Sequence, residues 1–348
     1  MRASVLTVVF ASLLIRNSWA EIPRTVDGKP DLNGHYDVAT LTPVQRPEAF
    51  GDKLYLTRAE ADKIAADEKA MFAVGATQLS PDRKAPPVGG DGSRGPAGNV
   101  GGYDGFWIDR GEDSFEIDGK IRTSIINNPA NGRYPEMTAA GQSRKQKRYQ
   151  RYRTNTGTAW WLELDGPGPY DNPESRSNSD RCLAGFGSTG GPPMLPTTYN
   201  NVKRIVQTPT HVMILIEMVH DARIIRLNSE HVSSDIRKWM GDSIGHWEGD
   251  TLVVDTTNFT DSPGLYFSTR NLHVVERFTR VDENTLNYSF TVDDPNTWTQ
   301  PFSGEYPWPA TDQPVYEYAC HEANYAMGNT LRGARLLEAE AAAEKGEQ

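Results

Sequence analysis

Residues 272–292 read LHVVERFTRVDENTLNYSFTV, and the way this stretch faces decides the fold. From 286 to 292 the alternation is clean. Leu286, Tyr288, Phe290 and Val292 are apolar, while Asn287, Ser289 and Thr291 are polar. A period of two belongs to a strand with one buried face. Residues 272–281 supply a partner strand and the polar cluster at Glu283-Asn284 a turn, so the stretch reads as a β-hairpin. A two-residue turn there, or a four-residue loop over 282–285, pairs Phe290 with Arg277, Tyr288 with Thr279 and Val292 with Val275. Directly opposed residues point to the same side. His273, Val275 and Arg277 then join the apolar face, while Glu276 and Phe278 point away. A three-residue loop reverses this, because one step of register flips every side chain.

Two more hairpins precede this one. Residues 211–219 and 222–227 flank His220-Asp221, and residues 244–247 and 251–259 flank Gly249-Asp250. In the latter, a two-residue turn sets His246 beside Val253, on the face that carries Ile244 and Asp255. Residues 304–309 and 315–320 add short strands, and 106–109 and 120–127 read as extended. Three successive hairpins predict a mainly β fold, an antiparallel meander curled into a barrel or a strongly bent sheet. It is calycin-like by analogy of architecture alone. Peripheral helices are expected over 57–72, where Thr57 and Glu60 form a capping box, over a basic stretch at 138–153, and over 326–344.

The whole chain is 348 residues with a formal charge of −10 and a mean hydropathy of −0.60. That composition suits a globular protein and excludes a basic nucleic-acid binder. Residues 1–20 carry a positive start, an apolar run of 3–15 and a small-x-small site at Ser18-Trp19-Ala20. They read as a removable export signal with no membrane span in the mature chain, which predicts a periplasmic or secreted protein. Residues 21–100 then form an extended segment with one helix and a Gly/Pro-rich loop over 80–105. Residues 101–325 form the barrel-like domain, and 326–348 a helix and acidic tail. An oxidising compartment favours pairing the only two cysteines, Cys182 and Cys320.

The chemistry follows from the hairpin faces. An arginine beneath an apolar sheet cannot shed its charge, so Arg277 would need a carboxylate partner such as Asp255 or Glu317, or an anionic ligand. With Tyr288, Phe290 and Trp247 as aromatic walls, the expected site is a pocket for an apolar or carboxylate-bearing small molecule. The alternative is an enzyme performing acid/base chemistry (isomerase, lyase or hydrolase) in the same cavity. His273 or His246 would then move the proton, and Asp255 would orient the ring. A structural envelope role is a third reading. No cofactor is called for: phosphate-loop, dinucleotide, calcium-loop, HExxH and GxSxG patterns are all absent, and no CxxC marks a metal site.

The segments YDGFWIDRG (103–111), RTSIINNPANGRYPEMT (122–138), DRCLAGF (180–186), EMVHDARII (217–225), WMGDSIGHWEGDTLVVDTTNF (239–259), LHVVERFTRVDENTLNYSFTVDDP (272–295) and YEYACHEANYAMG (316–328) occur in that order. Together they resemble an uncharacterised family of exported bacterial proteins with a WEGDTLVV core. The resemblance covers residues 100–335, implies export from a bacterial cell, and carries no catalytic residue. Both cysteines fall inside its motifs, which favours the disulfide.

Overall fold

The computed structural model describes residues 22–75, 82, 84, 108–151, 153, 156–265, 267–322 and 324–346. The expected export signal and nearly all of the 80–105 loop lie outside these. The strands are β1 (Gly34–Asp37), β2 (Tyr55–Leu56), β3 (Glu116–Ile117), β4 (Lys120–Arg122), β5 (Ile126–Asn128), β6 (Val202–Gln207), β7 (His211–Ile216), β8 (Ala222–Leu227), β9 (Asp242–Glu248), β10 (Thr251–Thr257), β11 (His273–Arg280), β12 (Thr285–Asp293) and β13 (Phe302–Pro309). The helices are α1 (Arg58–Gly75), α2 (Ala139–Gln150) and α3 (Tyr325–Gly346).

Ten strands make one sheet in the order β1-β6-β7-β8-β9-β10-β11-β12-β13-β5, and β2, β4 and β3 make a small second one. The expected meander is therefore present from β6 to β13. The large sheet curls into a half-barrel, and the three helices sit at its periphery, so the mainly β, strongly bent reading holds. An isolated bridge from Tyr36 to Ala310 and a bond from the Thr311 amide to the His35 carbonyl (3.0 Å) draw β1 toward the far side of the curl.

Local chemistry differs from expectation in four places. Strands β8 and β9 run parallel, joined by the long 228–241 excursion, so the meander is not wholly antiparallel. The β7–β8 connection spans five residues rather than two, with a 3-10 turn over Met218–His220 and Val219 at φ +61°. Residues 315–320 form no strand, although Cys320 there is bonded to Cys182 as expected. Ile108 and Asp109 form none either, while 106 and 107 lie outside the described residues.

The concave face holds the core. Leu252, Val254, Val274, Phe278, Leu286, Phe290, Val292 and Phe302 are all buried there, around Tyr288, Tyr306 and Trp308. Tyr288 stacks on Trp308 at 4.7 Å between ring centroids and meets Tyr306 edge-on at 5.7 Å. Gly304 is required on β13, because a Cβ there would lie 2.5 Å from the Phe290 ring and 2.9 Å from the Ile125 carbonyl. Among the described residues no helix is long and apolar enough to cross a membrane.

Candidate functional site

The second hairpin has its expected register, with Val253 opposite His246 and Asp255 opposite Ile244. The third does not. His273 pairs with Asp293, Glu276 with Phe290, Arg277 with Ser289 and Phe278 with Tyr288, which is one step from the expected pairing. Three residues, 282–284, form the loop beyond the Val281 amide to Thr285 carbonyl bond (3.0 Å). The Asp282 carboxylate accepts from the Asn284 amide at 2.7 Å, an Asx turn that suits a three-residue loop. Inside the loop, the Arg280 guanidinium donates to the carbonyls of Asp282 and Glu283.

That step turns β11 over. Val274, Glu276, Phe278 and Arg280 face the core, while His273, Val275, Arg277 and Thr279 face outward. Arg277 is thus not a counter-charge inside the half-barrel. It lies exposed, ion-paired with Glu248. Tyr288 and Phe290 do line the interior, but as fully packed core. Trp247 is partly buried on the same inner face, with the Lys29 ammonium 5.7 Å from its ring centre.

Beneath the sheet two buried charges meet, Arg223 and Glu276, 2% and 0% exposed. Arg223 grips the carboxylate with both terminal nitrogens, one bond being 2.9 Å, and also donates to Ser243 Oγ (3.0 Å) and Thr256 Oγ1 (2.9 Å). Tyr288 donates its phenol proton to Glu276 at 2.7 Å and accepts from the Met194 amide at 2.8 Å. Burial first, and the Glu276 charge second, push that phenol well above its ordinary value. Every donor here has a protein acceptor, so the knot is an internal brace.

The outer face brings two expected residues together and adds one the sequence did not flag. His273 Nε2 lies 2.8 Å from Asp255 Oδ2, and His231 Nε2 lies 2.9 Å from Asp255 Oδ1. Through Nδ1, His231 reaches Asp242 at 3.1 Å. Asp242 in turn accepts from Arg226, Lys238 and the Val232 amide. The bond to Asp255 raises the His273 pKa, outweighing the opposing effect of partial burial. Burial pushes the Asp255 carboxyl up, but the bonds from His273 and His231 hold it below the usual range. His246 is exposed and meets Glu248 at 3.2 Å, not Asp255. His231 escaped notice because 228–241 shows no periodicity to orient it. Among the described residues no group of three or more His, Cys, Asp or Glu is arranged to hold a metal ion.

A cavity of about 880 Å³ opens elsewhere, between α2, the segments at 186–189 and 195–197, and Leu265 and Phe267. Tyr134, Met137, Leu195, Leu265 and Trp298 give it apolar walls, and α2 presents Gln142, Lys145, Gln146 and Tyr149. Helix α2 is seated by Thr138, whose hydroxyl accepts from the Gly141 amide at 3.0 Å. Gly141 itself lies so close to the Thr297 carbonyl that a Cβ would come within 2.5 Å. Tyr134 stacks on Trp298 at 6.1 Å, and burial pushes its phenol up to about 12. Two lining residues, Thr189 and Trp298, are 2% and 3% exposed, and their Oγ1 and Nε1 atoms have no hydrogen-bond partner. None of His246, Asp255, His273 or Arg277 lines this cavity. Compared with protein-family models and with curated proteins, the chain matches none.

Proposed function

We propose that the protein is an exported binding protein for an apolar small molecule bearing a carboxylate, held in the cavity beside α2. The cavity itself carries this reading. Its volume is that of a drug-sized ligand site, its walls are aromatic and aliphatic, and a few polar groups converge on it. Lys145, which makes no ion pair among the described residues, takes the counter-charge role first expected of Arg277. The unpartnered Thr189 hydroxyl and Trp298 indole N–H are groups whose burial costs free energy until something meets them. Export is supported by the character of residues 1–20, by the Cys182–Cys320 bond, and by the resemblance to exported bacterial proteins.

The test is titration of the full chain with N-phenyl-1-naphthylamine, a neutral dye that fluoresces in apolar sites. One saturable site is expected. It should be lost in Gln146→Trp, where an indole from the exposed face of α2 fills the space. Absence of saturable fluorescence, or identical binding by the filled variant, would remove the reading. A second reading, proton transfer, has its own observation in the half-exposed His273–Asp255 pair. It places the chemistry on the outer sheet face, away from the cavity.

A further inference from the structure

A second cleft lies across α2 from the apolar cavity, and its chemistry is opposite. Its volume is about 360 Å³. Arg144, Lys147 and Arg148 line it from α2 and Arg151 from the helix's C-cap, at the three-, four- and seven-residue spacing that shares a face. Arg176 lines it from the turn that follows Pro173–Ser175. Five cations thus converge in a protein whose net charge is −10.

The expected reason for such a stripe is a solvated helix face balanced by neighbouring acids. For Arg144, Lys147 and Arg151 the contacts show no carboxylate partner among the described residues. Arg144 donates to the carbonyls of Phe267 and Asn296 and to Thr297 Oγ1, all neutral acceptors. Arg151 donates to the Gly168 carbonyl. Lys147 has no ion pair among the described residues. Two carboxylates, Glu174 and Asp261, also line the cleft. Asp261 is taken by Arg270 through bonds of 2.5 and 2.8 Å, and Arg176 is itself paired with Asp180 at 3.0 Å. The cationic side remains in excess.

The opposite wall supplies small polar groups: the hydroxyls of Ser175, Ser177, Ser179 and Ser262, and Gly185 with no side chain to block approach. Ser268 adds an independent observation. It lines the cleft, is 5% exposed, and its hydroxyl has no hydrogen-bond partner. Guanidinium forks with hydroxyl donors match a tetrahedral oxyanion, whose several oxygens accept from several directions at once.

We propose that this cleft is a binding site for a phosphate or sulfate group carried by a small molecule. It is separate from the apolar cavity, although Gly187 and Phe267 line both. The claim stands whether or not the cavity binds the neutral dye.

The experiment is calorimetric titration of the full chain with inorganic phosphate and, separately, with sulfate, at fixed pH and ionic strength. One saturable site with Kd below about 1 mM is expected for at least one anion, and the tighter anion names the group. Removing two cations in Lys147→Gln/Arg151→Gln should weaken binding at least ~10-fold. Because Arg151 holds the Gly168 carbonyl, Lys147→Glu alone provides a variant with no structural contact to lose. It should weaken binding several-fold while leaving the dye titration unchanged. Linear, non-saturating heats with both anions, or an unchanged Kd in Lys147→Glu, would overturn the proposal.

Discussion

On the inner face of the sheet, Glu276 sits against Arg223 with every polar atom matched. One residue earlier and later on the same strand, Val275 and Arg277 face out, and His273 meets Asp255 within reach of solvent. The inner pair is bidentate and buttressed by Tyr288, Ser243 and Thr256. The outer chain is partly exposed and built on imidazoles, the side chains that titrate near neutral pH. Alternate residues of β11 thus serve opposite ends, a fixed brace inside and a protonatable chain outside.

The sharpest way to break this contrast is Glu276→Ala. It leaves the Arg223 guanidinium buried with its carboxylate partner gone, and the expected loss is about 3–5 kcal/mol in urea unfolding. Replacing both partners, Arg223→Met with Glu276→Leu, should recover most of that loss. A single-variant cost under about 1 kcal/mol would mean that water reaches the site and the knot is not a sealed brace.

How far β11 was legible in the sequence depends on which signal is read. Gly249-Asp250 fixed a two-residue loop, and with it the whole β9–β10 register. At 282–284 the loop length alone decided the parity, and polar residues on both sides left it open. The apolar positions Leu272, just before β11, and Val274 and Phe278 within it already favour the observed face. Two charges, Glu276 and Arg280, interrupt that row and disguise it as solvent-facing. Their partners, Arg223 and the loop carbonyls after Arg280, are contributed by turns and distant strands, which no local pattern displays. The apolar cavity was illegible for a similar reason. Its walls come from 134–149, 186–197, Leu265, Phe267 and Trp298, mostly loop segments without period. The basic stretch at 145–153 was visible as a cluster, but the neutral carbonyl that Arg151 meets is a property of the fold.

Lys203 sharpens the comparison from within the inner face. It is fully buried on β6, and its ammonium has no hydrogen-bond partner. Burial pushes its pKa down to about 7, against the attraction of Glu217 and Asp37. Unlike Arg223, it can give up its proton rather than stay charged and unmet. The folded chain therefore binds fewer protons than the unfolded one between pH 7 and the ordinary lysine value of 10.5. Stability must rise with pH across that window, and the penalty is complete below pH 7. Lys203→Met keeps the length of the side chain and removes the charge. At pH 6 it should gain about 1–3 kcal/mol, less whatever Glu217 and Asp37 lose, and it should flatten the slope between pH 7 and 10.5. Parallel pH–stability curves for the two proteins would show that folding leaves the Lys203 pKa at its ordinary value.

The smallest effect belongs to the outer chain, and Asp255→Asn isolates it. Asp255 holds the His273 pKa above its ordinary 6.5, so the bond contributes stability fully present below that value and lost as pH rises through the raised one. The carboxyl itself is held below 3.8, so its own contribution is present above that pH and fades as pH falls through the lowered value. Between the two lies the window in which both partners are charged. An amide at 255 can still accept one hydrogen bond but offers no charge. The His273 midpoint, followed by the ring Cε1 proton in NMR, should therefore move down, since partial burial is then opposed by Asp293 alone. The stability difference between variant and wild type should be greatest within the window and should shrink at high pH, where His273 is neutral in both and only the His231 contact to residue 255 still differs. Solvent at the half-exposed ring screens the pair, which places this loss below the two inner-face effects. An unmoved midpoint would mean that His273 draws its proton affinity from Asp293, the other carboxylate acting on it, and the outer chain would then end at His231.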